Sequence, residues 1–322
     1  MKQLEHIQAS LAPELADMNA IIHDSLATSN ELMNRIVADY LRKKGKQIRP
    51  ILVILSARMF GQVTDEVLYA GAALEMLHNA SLIHDDVVDE TMLRRGIPTI
   101  NSRMGNHVAV LVGDFFVSNA LAAGIRTGNV QVVAALSRLG KELSLGEIDQ
   151  INNARHGQYD EQSYYDMIHQ KTASLFMNCV GMGADVVGAD PGLKARLVRY
   201  AELLGLCFQI RDDIFDYFDG AEIGKPTGND LREGKVTLPL LYALGNAPRR
   251  EEMHALLDRE QLGEEEIATL IEFAKANGGI EYAYDSMRRM QREADAILDE
   301  FPDSDSKRSF REIFDFIITR SV

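Results

Sequence analysis

Cysteine is scarce in this sequence: Cys179 and Cys207 are the only two, and both lie in apolar segments. A disulfide framework is therefore not expected, and a reducing cytoplasm is the expected compartment. Basic residues are also short, with 34 Lys and Arg against 48 Asp and Glu and a formal net charge of −14. Such a chain has no global positive field to attract nucleic acid, which is excluded as a partner. An anionic small molecule is not excluded, because a local basic cluster and a bound cation can reverse the sign of one site. Long apolar runs are missing as well. The best, 108–117, is short and contains Asp114, so no membrane span is expected and any membrane contact is at most peripheral. The first nineteen residues are polar and mixed in charge, unlike a secretory leader. No stretch rich in Pro, Gly and Ser divides the chain, so residues 1–322 read as a single all-helical domain.

What the sequence does contain is helical periodicity. Apolar residues make up 46% of it, enough for a large core. Amphipathic repeats predict helices over 4–26, 31–41, 64–93, 106–126, 130–153, 164–187, 193–220 and 237–244, with three or four more between 249 and 320. The valine-rich middle of 106–126 has the composition of a strand. Gly113 and Asp114 interrupt it and Ala-rich turns continue beyond, so it reads as helix. Residues 42–50 form a basic stretch with one glycine, followed by an apolar run over 51–60. This stretch is either a solvated turn or a phosphate-binding loop feeding a helix.

The chemistry concentrates in two places. The first, 74–99, reads LEMLHNASLIHDDVVDETMLRRGIPT. Asp85 and Asp89 are four residues apart, which on a helix puts both carboxylates on one face, one turn apart. Two carboxylates so placed repel unless a cation lies between them. Oxygen ligands with no cysteine nearby point to Mg²⁺. Arg94 and Arg95 follow, and guanidinium groups bind phosphate oxygens bidentately. The second place, 200–220, ends FQIRDDIFDYFDG and repeats the Asp-Asp-x-x-Asp spacing at Asp212, Asp213 and Asp216, with Lys225 and Lys235 in the loop beyond.

One such motif is weak evidence, since acids at i and i+4 are common on wet helix faces. Two copies, each late in an apolar helix and each followed by basic residues, describe facing halves of one site. Six unpaired carboxylates at one mouth cost several kcal/mol in repulsion and desolvation, which Mg²⁺ bridging to a diphosphate relieves. A diphosphate held this way is a leaving group. If the organic part is allylic, a carbocation remains, and it needs an apolar pocket that excludes water.

The sequence resembles the trans-isoprenyl diphosphate synthases, and among them the long-chain polyprenyl enzymes of the octaprenyl and solanesyl type. GKQIRP, HNASLIHDDVVDETMLRRGIPT, LVGDF, Gly146-Glu147, KTASLF, FQIRDDIFDYFD and GKPTGNDLREGKVTLPLL carry the likeness, in that order, from about residue 45 to residue 241. The resemblance implies an all-α isoprenoid synthase helical bundle with a central substrate tunnel, usually a homodimer. It implies condensation of isopentenyl diphosphate onto an allylic diphosphate, farnesyl or geranyl, to give a long-chain polyprenyl diphosphate for quinone side chains. Carried over residue by residue, Asp85, Asp89 and Asp212 ligate Mg²⁺, with three ions in the substrate-bound state, and Asp86, Asp213 and Asp216 support them. Arg94, Lys171 and Lys225, with Lys235 nearby, hold the allylic diphosphate. Lys46, Arg49, His78 and Arg95 hold isopentenyl diphosphate. Lys171, Thr172 and Gln209 form the catalytic group, the last two presenting oxygens to the carbocation. The basic loop departs from the family pattern, with Lys44 for its first glycine and Gln47 for a frequent Arg. Arg211 is unusual beside Asp212 and reads as a surface or interface residue.

Product length would be set by the wall below the first motif. Ala80 and Ser81 are small and lie about one turn before Asp85. The tunnel is expected to pass them and close deeper, at Met76, Leu77 or Phe115 and Phe116. Shorter products, farnesyl or geranylgeranyl diphosphate, are the nearest alternative. A class I terpene cyclase shares the first motif but leaves Lys46, Arg49 and Arg95 idle. A His-Asp phosphohydrolase, suggested by His78 and His84–Asp85, leaves the second motif unexplained. A non-catalytic subunit of a heteromeric synthase commonly lacks the Asp motifs, which this chain keeps.

Overall fold

The structure, a computed structural model, describes residues 2–42, 45–94, 96–156, 160–218, 227–259 and 261–320. The N-terminal region gives α1 (Lys2–Ser10), α2 (Ala12–Leu26) and α3 (Glu31–Leu41), where one helix was expected over 4–26. The break has a local cause: Pro13, at the start of α2, has no N–H to continue the ladder, and Leu11 leaves the helical conformation. After the basic loop comes α4 (Ile48–Phe60), whose residues Ile51 to Ala57 are all buried. The first Asp motif ends α5 (Asp65–Val88). That helix stops earlier than its periodicity suggests. Glu90 takes a left-handed conformation and the Thr91 N–H turns back to the Asp86 carbonyl. A small antiparallel ribbon follows, β1 (Leu93–Arg94) and β2 (Ile97–Pro98), with Leu93 opposite Pro98 and Arg94 opposite Ile97.

α6 (Ile100–Met104) leads into α7 (Asn106–Arg126) and α8 (Val130–His156). The valine-rich segment is thus helix, as expected. α7 is, however, long and apolar enough to cross a membrane by length and composition, which the run 108–117 alone did not indicate. It packs along α5, where the His84 ring fills the space above Gly113. Its other side, with the adjoining part of α8, is a run of exposed apolar residues that includes Leu111, Ile125, Leu145 and Ile148. The segment expected as one helix over 164–187 is α9 (Glu161–Ile168), a π-helical turn (His169–Ala173) and α10 (Ser174–Val186).

α11 (Pro191–Phe215) carries the second motif at its end. The C-terminal third comprises α12 (Asn229–Arg232), α13 (Leu238–Asn246), α14 (Arg250–Leu257), α15 (Glu264–Ala276), α16 (Gly279–Asp299) and α17 (Asp305–Thr319). One large buried cluster joins α1 to α5 and α7 to α11 with α16, α17 and the start of α13. A second, smaller cluster lies under α13, α14 and α15, and Val236 and Tyr284 pack against both. Cys179 and Cys207 are buried free thiols.

Candidate active site

The six aspartates of the two motifs divide into two groups. Asp86 is buried and accepts from Arg94 Nε and Nη2, each at 2.8 Å. This pair ties the ribbon to the end of α5, helped by the Asn101 amide on the Asp86 carbonyl at 3.0 Å. Asp213 is buried with both oxygens engaged, by Tyr164 Oη at 2.6 Å and Gln209 Nε2 at 2.7 Å. Asp216 accepts the backbone N–H groups of Asn229 and Asp230, both at 3.0 Å, and so caps the start of α12. These three were expected to support metal. In the structure they hold a ribbon, a side-chain network and a helix start. Asp85, Asp89 and Asp212, the three expected as direct ligands, are the remaining group.

Asp85 and Asp89 both lie within electrostatic range of Lys171 and Glu147, and Asp89 also within that of Lys235. Burial pushes the Asp85 carboxyl up to about 6; Glu147 and Asp89 add to this, while Lys171 and Arg94 oppose it. Asp89 shifts upward too, from partial desolvation, with Lys235 opposing. Lys171 Nζ is held by Glu147 Oε2 and Gln150 Oε1, both at 2.8 Å. Glu147 and Gln150 share one face of α8, a pattern visible in the sequence, yet they had no assigned role there. The π-helical turn carries Lys171 and Thr172, and such bulges recur at functional sites. Gly205 makes its approach to α11 close: a Cβ there would meet Ala173 Cα at 2.6 Å. That proximity lets Thr172 Oγ1 donate to Gln209 Oε1 at 2.8 Å. Lys171, Thr172, Gln209, Asp213 and Lys235 line one cavity of about 130 Å³.

On the other side of α11 is a cavity of about 560 Å³, lined by Lys46, Arg49, Phe176, Phe208, Phe316 and Arg320 among others. Lys46 Nζ stands 5.3 Å from the Phe316 ring centroid, and the Arg49 guanidinium 5.9 Å from that of Phe176. Burial and the Arg320 guanidinium depress the Lys46 ammonium, with Asp212 opposing. Arg320 was not anticipated. It stacks on Phe208 at 4.4 Å, is largely buried, and forms an ion pair with Asp212. Arg211 donates to the Arg320 carbonyl and lies between Phe215 and Tyr284. It is therefore a buried anchor for the end of α17, where a surface or interface residue was expected. Nothing in the sequence ties residue 320 to residue 212, since 108 positions separate them. His78 is buried on α5 and lines neither of these cavities. Arg95 and Lys225 lie outside the described residues.

Among the wall positions, Ala80, Met76 and Phe116 are fully buried, Leu77 nearly so, and Phe115 and Ser81 partly. Phe116 meets the Tyr40 ring edge-on at 5.7 Å. Among the described residues, no three His, Cys, Asp or Glu side chains close on one point. The donor set nevertheless suits Mg²⁺, which is usually held by one or two carboxylates together with substrate phosphates. Burial disfavours the charge of the Asp85 carboxylate, a cost that such a cation would offset.

An all-helical bundle with paired acids at its mouth, lysines facing them and apolar walls behind defines an isoprenoid-synthase type of protein. The polyprenyl synthetase profile matches residues 30–274, and the chain belongs to that family. The octaprenyl diphosphate synthase of Escherichia coli (strain K12) is 34% identical over 306 residues, 94% of each chain. The crystal structure of a polyprenyl synthase from Caulobacter crescentus, complexed with calcium and isoprenyl diphosphate, superposes with a TM-score of 0.91 at 30% identity, covering 98% of both chains. A geranylgeranyl pyrophosphate synthase structure from Bacteroides thetaiotaomicron matches with a TM-score of 0.86 at 36% identity, covering 99% of this chain and all of that one.

Proposed function

We propose that this prenyltransferase joins isopentenyl diphosphate to farnesyl or geranyl diphosphate, repeatedly, to make a long-chain all-trans polyprenyl diphosphate. The observation that carries the reading is the division of the acids: three are hydrogen-bonded into the scaffold, while Asp85 and Asp89 feel the charge of Lys171, and Asp89 also that of Lys235. Mg²⁺, three ions with substrate bound, supplies charge stabilisation at the allylic diphosphate as its C–O bond breaks. Asp85, Asp89 and Asp212 would hold it. Lys171 and Lys235, with Lys225 and Arg94, receive the diphosphate oxygens. Thr172 and Gln209 turn oxygens toward the cationic carbon. Lys46 and Arg49, with Arg95, hold isopentenyl diphosphate so that its double bond attacks that carbon. The proton lost in closing each cycle passes to the released diphosphate. The long-chain assignment follows the octaprenyl relative and the small side chains at Ala80 and Ser81, and supply of quinone side chains is the corresponding use.

The test is incubation with farnesyl diphosphate, labelled isopentenyl diphosphate and Mg²⁺, with products resolved by length. A ladder ending at one dominant species longer than geranylgeranyl diphosphate is expected. Arrest at that length or below, or no extension by folded protein, overturns the reading. Arg320 stands beside Lys46 and Arg49, so Arg320→Ala is expected to raise KM for isopentenyl diphosphate about tenfold while that for farnesyl diphosphate changes little. Steady-state kinetics with each substrate varied in turn checks this. The exposed apolar face of α7 and α8 is the proposed homodimer contact. Leu111→Glu with Ile125→Glu is expected to give monomer in sedimentation velocity where the unaltered chain gives dimer.

A further inference from the structure

We propose that Tyr164 is a positioning residue that acts through Asp213 to fix the direction of the hydrogen-bond chain ending at Thr172, so that the reacting carbocation meets only oxygen lone pairs. The inference rests on the reading above, in which Thr172 and Gln209 face that cation. The chain has four members. Tyr164 Oη donates to Asp213 Oδ2 at 2.6 Å, and Gln209 Nε2 donates to Asp213 Oδ1 at 2.7 Å. Thr172 Oγ1 donates to Gln209 Oε1 at 2.8 Å. Tyr164, Asp213 and Thr172 are buried, at 3%, 5% and 9% exposure, and Gln209 is partly buried between them.

The logic is one of donors and acceptors. Asp213 accepts a donor on each oxygen, Tyr164 Oη on Oδ2 and Gln209 Nε2 on Oδ1. Asp213 therefore turns the NH₂ end of Gln209 toward itself and leaves the amide oxygen on the other side. That oxygen accepts the one hydroxyl proton of Thr172. Thr172 is left with lone pairs alone, and Gln209 adds the partial negative charge of its carbonyl. A developing carbocation beside them is stabilised and meets no proton donor from Thr172 or Gln209. Tyr164 lies on α9, apart from Asp213 and Gln209 on α11, and its short bond to the second carboxylate oxygen fixes the rotation of Asp213 about its own axis. Without it, Asp213 is free to turn and Gln209 loses its fixed amide orientation.

The experiment is a double-mutant cycle on the full chain with Tyr164→Phe and Thr172→Ala, read by steady-state kinetics and thermal unfolding. Tyr164→Phe is expected to lower kcat by about ten- to a hundredfold, with KM for both diphosphates and the Mg²⁺ requirement changed less than about twofold. In the Thr172→Ala background the same substitution is expected to be nearly silent, because its effect passes through Thr172. Additive effects in the cycle, or a change confined to KM or to unfolding temperature, overturn the proposal. Should Tyr164→Phe not fold, Asp213→Asn takes its place in the cycle with the same two outcomes. Elongation by the unaltered chain separates failure of this inference from failure of the functional reading.

Discussion

Asp85→Asn is expected to lower kcat at least about a thousandfold, whereas Asp216→Asn lowers it far less and mainly reduces thermal stability. The contrast follows from where the oxygens point. Burial raises the Asp85 carboxyl to about 6, with Glu147 and Asp89 adding to the shift and Lys171 and Arg94 opposing it. Asp216 spends both oxygens on the backbone of Asn229 and Asp230. An amide at residue 85 removes negative charge from the diphosphate-binding mouth, so the C–O bond breaks without its main electrostatic support. An amide at residue 216 loses acceptor capacity at a helix start, a local packing effect. Steady-state kinetics and calorimetric melting on the two variants check the difference, and equal kinetic losses would contradict the division of the acids.

The same carboxyl predicts a pH effect. Its folded value, about 6, lies above the ordinary 3.8. Between those values the folded chain holds a proton that the unfolded chain has lost, so the metal-free protein loses stability as pH rises through this window. Mg²⁺ with a diphosphate binds the ionised form, so the concentration of Mg²⁺ for half-maximal activity is expected to climb as pH falls below about 6. A titration of Mg²⁺ activation at several pH values measures it.

Ala80→Phe is expected to move the main product to a shorter chain without abolishing the first condensation. Ala80 lies one turn before Asp85 on α5, far enough from the acids to leave the Lys171 and Glu147 contacts in place, and it is fully buried. Each helical turn rises about 5.4 Å, on the order of one five-carbon unit, so a ring at this level blocks the chain near the mouth. The added volume also strains a packed core, and a fall in unfolding temperature, reflecting about 1–3 kcal/mol, is expected alongside. Product chromatography and melting on the same preparation check both effects. An unchanged length distribution would place the wall elsewhere.

Much of this was legible before any folding. Two acid pairs at helical spacing, each late in an apolar helix and each followed by cations, announce a metal and a polyanion, because repulsion between carboxylates makes the pattern costly otherwise. Periodicity located the principal helices, and Gly113 and Asp114 were enough to keep the valine-rich stretch of α7 from reading as a strand. Spacing alone did not assign each acid its task. Asp86 and Asp213 look equivalent to Asp85 and Asp212 in the sequence, yet one pairs with an arginine on a ribbon and the other anchors Gln209. Which way a side chain turns depends on partners far along the chain, and no local periodicity encodes them. The same holds for the π-helical turn that presents Lys171, for Glu147 and Gln150 reaching it from α8, and for Arg320 on Asp212. Residue type and spacing thus determined the fold class and the chemistry. Only tertiary packing decided which donors each acid's oxygens meet, since an oxygen is committed by the nearest donor in space and not by its neighbour in sequence.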